Sequence, residues 1–328
     1  MTVKVQVNCN SRLHMGFFDL NGNLGRKFGS IGLSLDAPAI ELTACPAKAL
    51  NVTGGHDVPA TVLAKVHDIT AMLTAKLALR PVSINIRQHI PEHAGLGSGT
   101  QMALAVGAAL NQLFDLNLNA QQIALLCNRG KRSGIGIAAF EQGGLLIDGG
   151  RINGSQHMVP PLLARYEFPE QWHILLIFDH RQPGVHGKQE LAAFDALPAF
   201  PEALAADLCR QVLMRAMPAM LEQDLTTFGK AIQALQQQVG DYFAPAQGGR
   251  YASKIVSDVL NCLQESGVTC FGQSSWGPTG FAIYETEQSA QTHLEQLKNQ
   301  FSAAHLSGEL SWQLCKASNR GARVLTTQ

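Results

Sequence analysis

This chain of 328 residues lacks several features that define whole classes of protein. Its formal net charge is zero and charged residues make up 15% of it, so we expect no nucleic-acid partner. Its seven cysteines include no CxxC pair, which argues against a zinc site and against a disulfide framework. No apolar run approaches the ~18 residues that a membrane-spanning helix requires, so no membrane partner is expected either.

Targeting signals and repeats are absent as well. The first residues, 1–7, alternate as a strand does and do not resemble a signal peptide. We therefore expect a cytoplasmic protein with reduced cysteines. Hydrophobic residues form 46% of the chain, which indicates a large core, and the length allows two domains that share a cleft.

The chain does contain a glycine-rich loop, residues 91–100, in front of a small-residue segment that ends at Phe114. Alternate glycines allow a tight turn with positive φ and let the backbone approach a ligand closely. The free N–H groups and the dipole of the following helix favour an anion, so we predict a bound phosphate. The predicted phosphate-binding residues of the loop are Gly95, Leu96, Gly97, Ser98, Gly99 and Thr100.

Two common phosphate motifs are excluded. A Walker loop requires GxxxxGK[ST], but no Gly-Lys pair in this chain is followed by Ser or Thr. The dinucleotide pattern GxGxxG fails because position 100 is Thr. A glycine-rich turn that precedes a buried helix and binds nothing is the alternative interpretation.

The loop resembles the phosphate-binding motif of the GHMP kinase superfamily, in which a proline and three residues precede Gly-Leu-Gly-Ser and a small-residue helix. Other segments extend the resemblance from about residue 8 to residue 285, namely 11–22 with 26–33, 129–144 and 272–279. Together they are similar to the β-ribofuranosylaminobenzene 5′-phosphate synthases, a branch of that superfamily whose members are not kinases.

The expected fold is α+β. Strand-like segments at 3–8, 39–44 and 173–178 alternate with helical segments at 60–79 and 247–264. Asn119 and Gln122 have the spacing of a capping box, which predicts the start of another helix. The resemblance implies two domains with the site between them. We place a GHMP-type phosphate-binding domain at residues 1–160 and a ferredoxin-like domain at residues 161–328.

Four residues are candidates for a catalytic role: Arg12, His14, Glu92 and Gln101. The planar guanidinium of Arg12 is suited to gripping a phosphate or carboxylate. We expect His14 to donate a hydrogen bond to a leaving phosphate oxygen. Gln101 stands where the family resemblance also places a glutamine, and its amide is expected to contact the substrate. The alternative for Arg12 and His14 is an ordinary pair of residues at the end of a strand.

A basic turn forms a second predicted phosphate site. Its residues are Arg129, Lys131, Arg132, Ser133 and Gly134. Charge runs are usually solvated surfaces, but this one opens another glycine-rich turn, which favours neutralisation of phosphate charge.

We expect Mg²⁺ and no organic cofactor. Mg²⁺ is a hard cation that one or two carboxylates and phosphate oxygens satisfy, and Glu92 and Asp19 are its candidate ligands. Asp19 is also a candidate for substrate binding, by orienting Arg12. A surface role for both carboxylates is the alternative.

The other predicted substrate-binding residues lie in the second half of the chain. They are His186, in a glycine- and proline-containing segment long enough for a lid, and Ser274, Ser275 and Trp276. The Trp276 ring is expected to stack on an aromatic ring, and the two serines to bind a phosphate or carboxylate.

The resemblance implies condensation of 5-phosphoribosyl-1-pyrophosphate with 4-aminobenzoate or 4-hydroxybenzoate, with release of CO₂ and pyrophosphate, in tetrahydromethanopterin biosynthesis. The partners are then a phosphorylated small molecule and an aromatic acid, while the oligomeric state stays open, with a homodimer as a candidate.

An ATP-dependent kinase on the same fold is the first alternative, and a non-catalytic phosphometabolite-binding protein the second. Mevalonate-kinase-like enzymes carry a catalytic Asp where this chain has Ile135, Ile137 and Ala138, which argues against the kinase.

Overall fold

Two long antiparallel strands form the centre of the N-terminal sheet. β1 (Lys4–Asp19) and β3 (Gly29–Pro46) pair from Val5↔Ala44 to Asp19↔Gly29. Both are longer than the predicted strands at 3–8 and 39–44. Residues 29–35 of β3 are buried at every position, with Ile31, Leu33 and Leu35 alternating with the small residues Ser30, Gly32 and Ser34.

Five further strands complete this sheet of seven. They are β4 (Asn51–Gly54), β5 (Val82–Gln88), β6 (Leu145–Asp148), β8 (Leu162–Tyr166) and β13 (Arg323–Thr327). The order is β13-β1-β3-β5-β4, with β6 paired to β3 and β8 paired to β6. A separate two-residue pair joins β2 (Arg26–Lys27) to β7 (Arg151–Ile152).

Four helices accompany this sheet: α1 (Ala60–Lys76), α2 (Ser98–Phe114), α3 (Ala120–Leu126) and α4 (Ile135–Glu141). Residues 101–110 of α2 are all buried, as the run of small residues indicates. The predicted capping box at the start of α3 is confirmed, with Gln122 N donating to Asn119 Oδ1 at 2.8 Å and Asn119 N donating to Gln122 Oε1 at 2.9 Å.

The second sheet has the order β10-β11-β9-β12 and is antiparallel throughout. Its strands are β9 (His173–Asp179), β10 (Cys270–Gln273), β11 (Gly280–Tyr284) and β12 (Leu310–Cys315). The helices of this half are α5 (Glu202–Gln211), a π-helical turn (Val212–Ala216), α6 (Met217–Glu222), α7 (Leu225–Gln247), α8 (Lys254–Glu265), α9 (Glu287–Gln300) and α10 (Ser302–Leu306). The chain order β-α-β-β-α-β with this strand order is ferredoxin-like, so the predicted α+β fold is confirmed.

The computed structural model describes residues 3–155, 158–181 and 197–327. Strand pairing crosses the predicted boundary between residues 160 and 161, because β8 and β13 both belong to the first sheet. The strands of the second sheet lie between residues 173 and 315. Within the described residues, no helix combines the length and apolar character needed to cross a membrane.

Candidate active site

The glycine-rich loop forms a tight turn at the start of α2. Gly95 (φ +77°) and Gly97 (φ +83°) both adopt positive φ, and Gly97 is the N-cap. A Cβ on Gly95 would lie 2.2 Å from the carbonyl oxygen of Ser274, so this approach requires glycine. The predicted turn is therefore present, and it packs directly against the loop that follows β10.

The first turn of α2 offers donors to an anion. The N–H groups of Thr100 and Gln101 are already bonded to Gly97 O at 3.0 Å. Among the described residues, no acceptor is recorded for the N–H groups of Ser98 and Gly99. These two N–H groups lie at the positive end of a helix of 17 residues, where a phosphate is favoured.

Two guanidinium groups lie beside the loop. A Cβ on Gly97 would be 3.3 Å from Cζ of Arg12, and a Cβ on Gly99 would be 3.4 Å from Nη1 of Arg129. Arg12 also donates from Nη1 to Gly95 O and from its backbone N–H to Leu96 O. Burial lowers the pKa of the Arg129 guanidinium, and only Cys127 opposes this shift. Two guanidinium groups therefore lie beside the loop, and phosphate binding there stays a prediction.

A buried carboxylate holds the second glycine-rich turn. Asp148 Oδ2 accepts hydrogen bonds from Ser133 Oγ (2.8 Å), Gly134 N (2.8 Å) and Ser30 Oγ (2.7 Å), and Oδ1 accepts one from Gly150 N (2.8 Å). Burial raises the pKa of Asp148, and these hydrogen bonds oppose the shift. The only sequence signal for Asp148 is a polar residue that ends an apolar strand.

The basic residues of this turn differ in position. Lys131 is exposed, whereas Arg132 is half-buried and close enough to His14 to lower its pKa. Ser133 and Gly134 are committed to Asp148, so they shape the turn.

A continuous set of hydrogen bonds connects the phosphate loop to His14. Ser274 Oγ donates to Gly95 O (2.9 Å) and accepts from His14 N (3.0 Å), while Ser275 N donates to His14 O (2.9 Å). Ser274 is fully buried, and its hydroxyl proton is donated to Gly95 O, so it has no proton left to donate to a phosphate or carboxylate. This corrects its predicted role in substrate binding. It joins the two halves of the protein instead.

The ring of His14 is buried and neutral. Burial, followed by the positive charges of Arg12 and Arg132, lowers its pKa to about 3. A hydrogen bond from the His14 ring to the His14 backbone opposes this shift. Because Nε2 has no partner among the described residues, the ring nitrogen that makes this bond is Nδ1. The proton then lies on Nδ1 and Nε2 is an acceptor. The expected donation from His14 to a phosphate oxygen does not fit this arrangement.

A cleft with a cavity volume of about 40 Å³ opens beside His14, between β1, α7 and the loop after β10. Aromatic side chains form its walls: the Phe243 and Trp276 rings have centroids 4.5 Å apart, and Phe17 lies 4.6 Å from the His14 ring. Trp276 lines this cleft, and its stacking on a substrate ring stays a prediction. Three glutamines also line the cleft, Gln236 and Gln247, which no motif indicates, and Gln273, which belongs to the segment 272–279.

Comparison with known proteins decides the family. Two family models match the chain, the GHMP kinases N terminal domain over residues 63–144 and the GHMP kinases C terminal domain over residues 216–303. The chain is 34% identical to the beta-ribofuranosylphenol 5'-phosphate synthase of Archaeoglobus fulgidus, over 96% of this chain and 97% of that protein. This chain belongs to the beta-ribofuranosylphenol 5'-phosphate synthase family.

Other comparisons agree with this family. The beta-ribofuranosylphenol 5'-phosphate synthase of Methanocaldococcus jannaschii is 33% identical, over 96% of this chain and 98% of its own length. The mevalonate diphosphate decarboxylase of Staphylococcus aureus has a TM-score of 0.69 at 15% identity, over 99% of this chain and 98% of that chain, which shows the fold alone. The predicted resemblance is confirmed, and this member of the synthase family is an enzyme of the transferase type.

Two predicted residues of this synthase-family chain have protein partners in the structure. Gln101 is fully buried and its Nε2 donates to Gly136 O at 2.6 Å, so this nitrogen holds the start of α4, and the expected contact of its amide with substrate stays a prediction. Asp19 is seven residues along β1 from Arg12, roughly 20 Å, which is too far to orient it. Its carboxylate accepts from the N–H groups of Asn21 and Gly22 instead.

Glu92 is occupied by protein partners, and His186 lies outside the described residues. The Glu92 carboxylate accepts from Lys65 Nζ at 2.7 Å and from Thr61 Oγ1 at 3.0 Å. Although burial opposes it, this pairing lowers the pKa of Glu92. Over the described ranges, no group of three or more His, Cys, Asp or Glu side chains is placed to hold a metal ion.

Proposed function

We propose that the protein transfers the 5-phosphoribosyl group of 5-phosphoribosyl-1-pyrophosphate to the ring of 4-hydroxybenzoate or 4-aminobenzoate, in tetrahydromethanopterin biosynthesis. The relatives' name specifies a ribofuranosylphenol 5'-phosphate, which favours 4-hydroxybenzoate. The supporting observation is that a cationic phosphate loop and an aromatic cleft are connected through Gly95, Ser274 and His14.

In the proposed reaction, the ring carbon that bears the carboxylate forms a bond to ribose C1 as the bond from C1 to pyrophosphate breaks. The carboxylate then leaves as CO₂, and its bonding electrons restore the aromatic ring. Positive charge develops at C1 and negative charge on the leaving pyrophosphate. The N–H groups of Ser98 and Gly99, with Arg12 and Arg129, would stabilise the leaving charge.

No group in this scheme has to remove a proton from a hydroxyl nucleophile. The start of α4, where related kinases carry a catalytic Asp, has buried Ile135, Ile137 and Ala138. The nearby carboxylate of Asp148 is committed to four donors. At the start of α4 the described residues therefore offer no free carboxylate base, which supports the transferase over the kinase.

The described residues do not fit a protein-held Mg²⁺ site, because Glu92 and Asp19 have separate surroundings and both carboxylates have partners. We propose that Mg²⁺ enters with the diphosphate of the substrate. Isothermal titration should then detect no Mg²⁺ binding by the protein alone, whereas the KM for 5-phosphoribosyl-1-pyrophosphate should depend on Mg²⁺. A cytoplasmic location and a homodimer stay predictions.

The direct test is pyrophosphate release from 5-phosphoribosyl-1-pyrophosphate with each aromatic acid, beside an ATP control. Release that requires the acid, with ¹⁴CO₂ from carboxyl-labelled acid, would support the transferase. ADP formation from ATP and a hydroxylated metabolite, without such release, would make the protein a kinase. Binding of the phosphorylated substrate with no turnover of either kind would favour the non-catalytic alternative.

A further inference from the structure

One buried polar atom in the wall of the cleft has no protein partner. His14 is 5% exposed, and its Nε2 makes no hydrogen bond within the described residues. The residue nevertheless lines the open cleft. Buried polar atoms are nearly always hydrogen-bonded, so an unpartnered one on a residue that lines a cleft indicates a ligand group.

The chemistry of Nε2 limits what that group can be. Because the ring is neutral and its proton lies on Nδ1, Nε2 carries the lone pair that no protein group of the described residues uses. A carboxylate or phosphate oxygen is itself only an acceptor and makes no hydrogen bond there. A hydroxyl or an amino group is a donor and completes the pairing.

The walls of the cleft select the shape of the ligand. Phe17, Phe243 and Trp276 present aromatic surface, which suits a planar ring. Arg250 also lines the cleft, but its guanidinium donates to Asp241 from Nε at 2.8 Å and from Nη2 at 3.0 Å. This pairing makes the cleft a poor site for a phosphate.

We propose that this cleft binds the aromatic acid and that His14 Nε2 accepts a hydrogen bond from the hydroxyl or amino group opposite the reacting carbon. The inference rests on the proposed function for the identity of the acid. It makes His14 a specificity-determining residue that distinguishes acids with a donor at this position from acids without one.

The test is isothermal titration of the full-length protein with 4-hydroxybenzoate and with benzoate. We expect the wild type to bind 4-hydroxybenzoate about tenfold more tightly, the difference that one hydrogen bond to a buried acceptor supplies. His14→Ala should reduce this ratio to about one, and His14→Gln, which keeps an acceptor, should retain part of it. His293→Ala, on α9 and outside the cleft lining, should leave the ratio unchanged.

A second pair of variants guards against loss of folding at position 14. Phe243→Leu should weaken both acids about equally, whereas Phe228→Leu, a buried residue of the same helix that does not line the cleft, should weaken neither. An unchanged ratio in folded His14→Ala, or a wild type that binds the two acids equally or not at all, would overturn the proposal. Acid binding without pyrophosphate release would instead contradict the proposed function and leave this subsite intact.

Discussion

Replacing Gly95 by alanine tests the packing of the phosphate loop against the loop after β10. The new Cβ would lie 2.2 Å from the carbonyl oxygen of Ser274 and 3.0 Å from Cα of Gly277, while the residue keeps a φ of +77°. The left-handed conformation costs alanine about 1–2 kcal/mol. Overpacking against backbone atoms adds about 1–3 kcal/mol. We therefore expect the free energy of unfolding to fall by about 2–5 kcal/mol.

Urea unfolding of Gly95→Ala and of a matched control measures this loss. Gly25 has a similar φ of +86° but no atom within 4 Å of an added Cβ, so Gly25→Ala should lose only the conformational part, about 1–2 kcal/mol. The KM for 5-phosphoribosyl-1-pyrophosphate should rise in Gly95→Ala alone. Equal losses of stability in the two variants would refute the close approach of Gly95 to Ser274.

Three other changes test the charged groups of the site. The pKa of His14 is about 3 in the folded protein against 6.5 for the free side chain, so the unfolded chain protonates first and stability falls as pH drops below 6.5. Urea unfolding at pH 8 and pH 5 should show a loss about 2 kcal/mol smaller in His14→Gln than in the wild type, and equal losses would contradict a neutral buried ring. Arg129→Met should leave the free energy of unfolding unchanged or higher, while the KM for 5-phosphoribosyl-1-pyrophosphate rises about tenfold or more; an unchanged KM would remove Arg129 from the phosphate site. Asp148→Asn should lower the free energy of unfolding by about 2–4 kcal/mol, because an amide N–H₂ then faces backbone and hydroxyl donors. Asp258→Asn, in an exposed pair with Lys254, should change it by less than about 1 kcal/mol, and a similar loss in both would refute the role of Asp148.

Short sequence patterns correctly predicted the backbone conformation of the glycine-rich loop and the start of one helix. The glycines at 95 and 97 indicate positive φ, and Asn119 with Gln122 indicates a helix start, because each depends on residues within a few positions. The ferredoxin-like arrangement of the second sheet was predicted from the family resemblance and not from local patterns.

Long-range packing accounts for what the sequence did not predict. Asp148 holds the turn because the fold brings Ser30 and Ser133 to it, and Gln236 and Gln247 reach the cleft from α7 whereas Gln273 reaches it from β10. The helix expected at 247–264 begins at Lys254, since α7 continues through Pro245 to Gln247. Asp19 was expected at the substrate because its residue type suits that chemistry, which does not reveal its distance from Arg12.

The return of β13 to the first sheet has a consequence for synthesis. β13 pairs with β1 from Lys4↔Thr327 to Asn8↔Arg323, so one of the first strands made is completed by one of the last. Until residues 323–327 leave the ribosome, β1 presents an unpaired edge to the cell, and unpaired edges invite association with other chains. A nascent chain stalled after the ferredoxin-like strands would therefore be the species most in need of a chaperone.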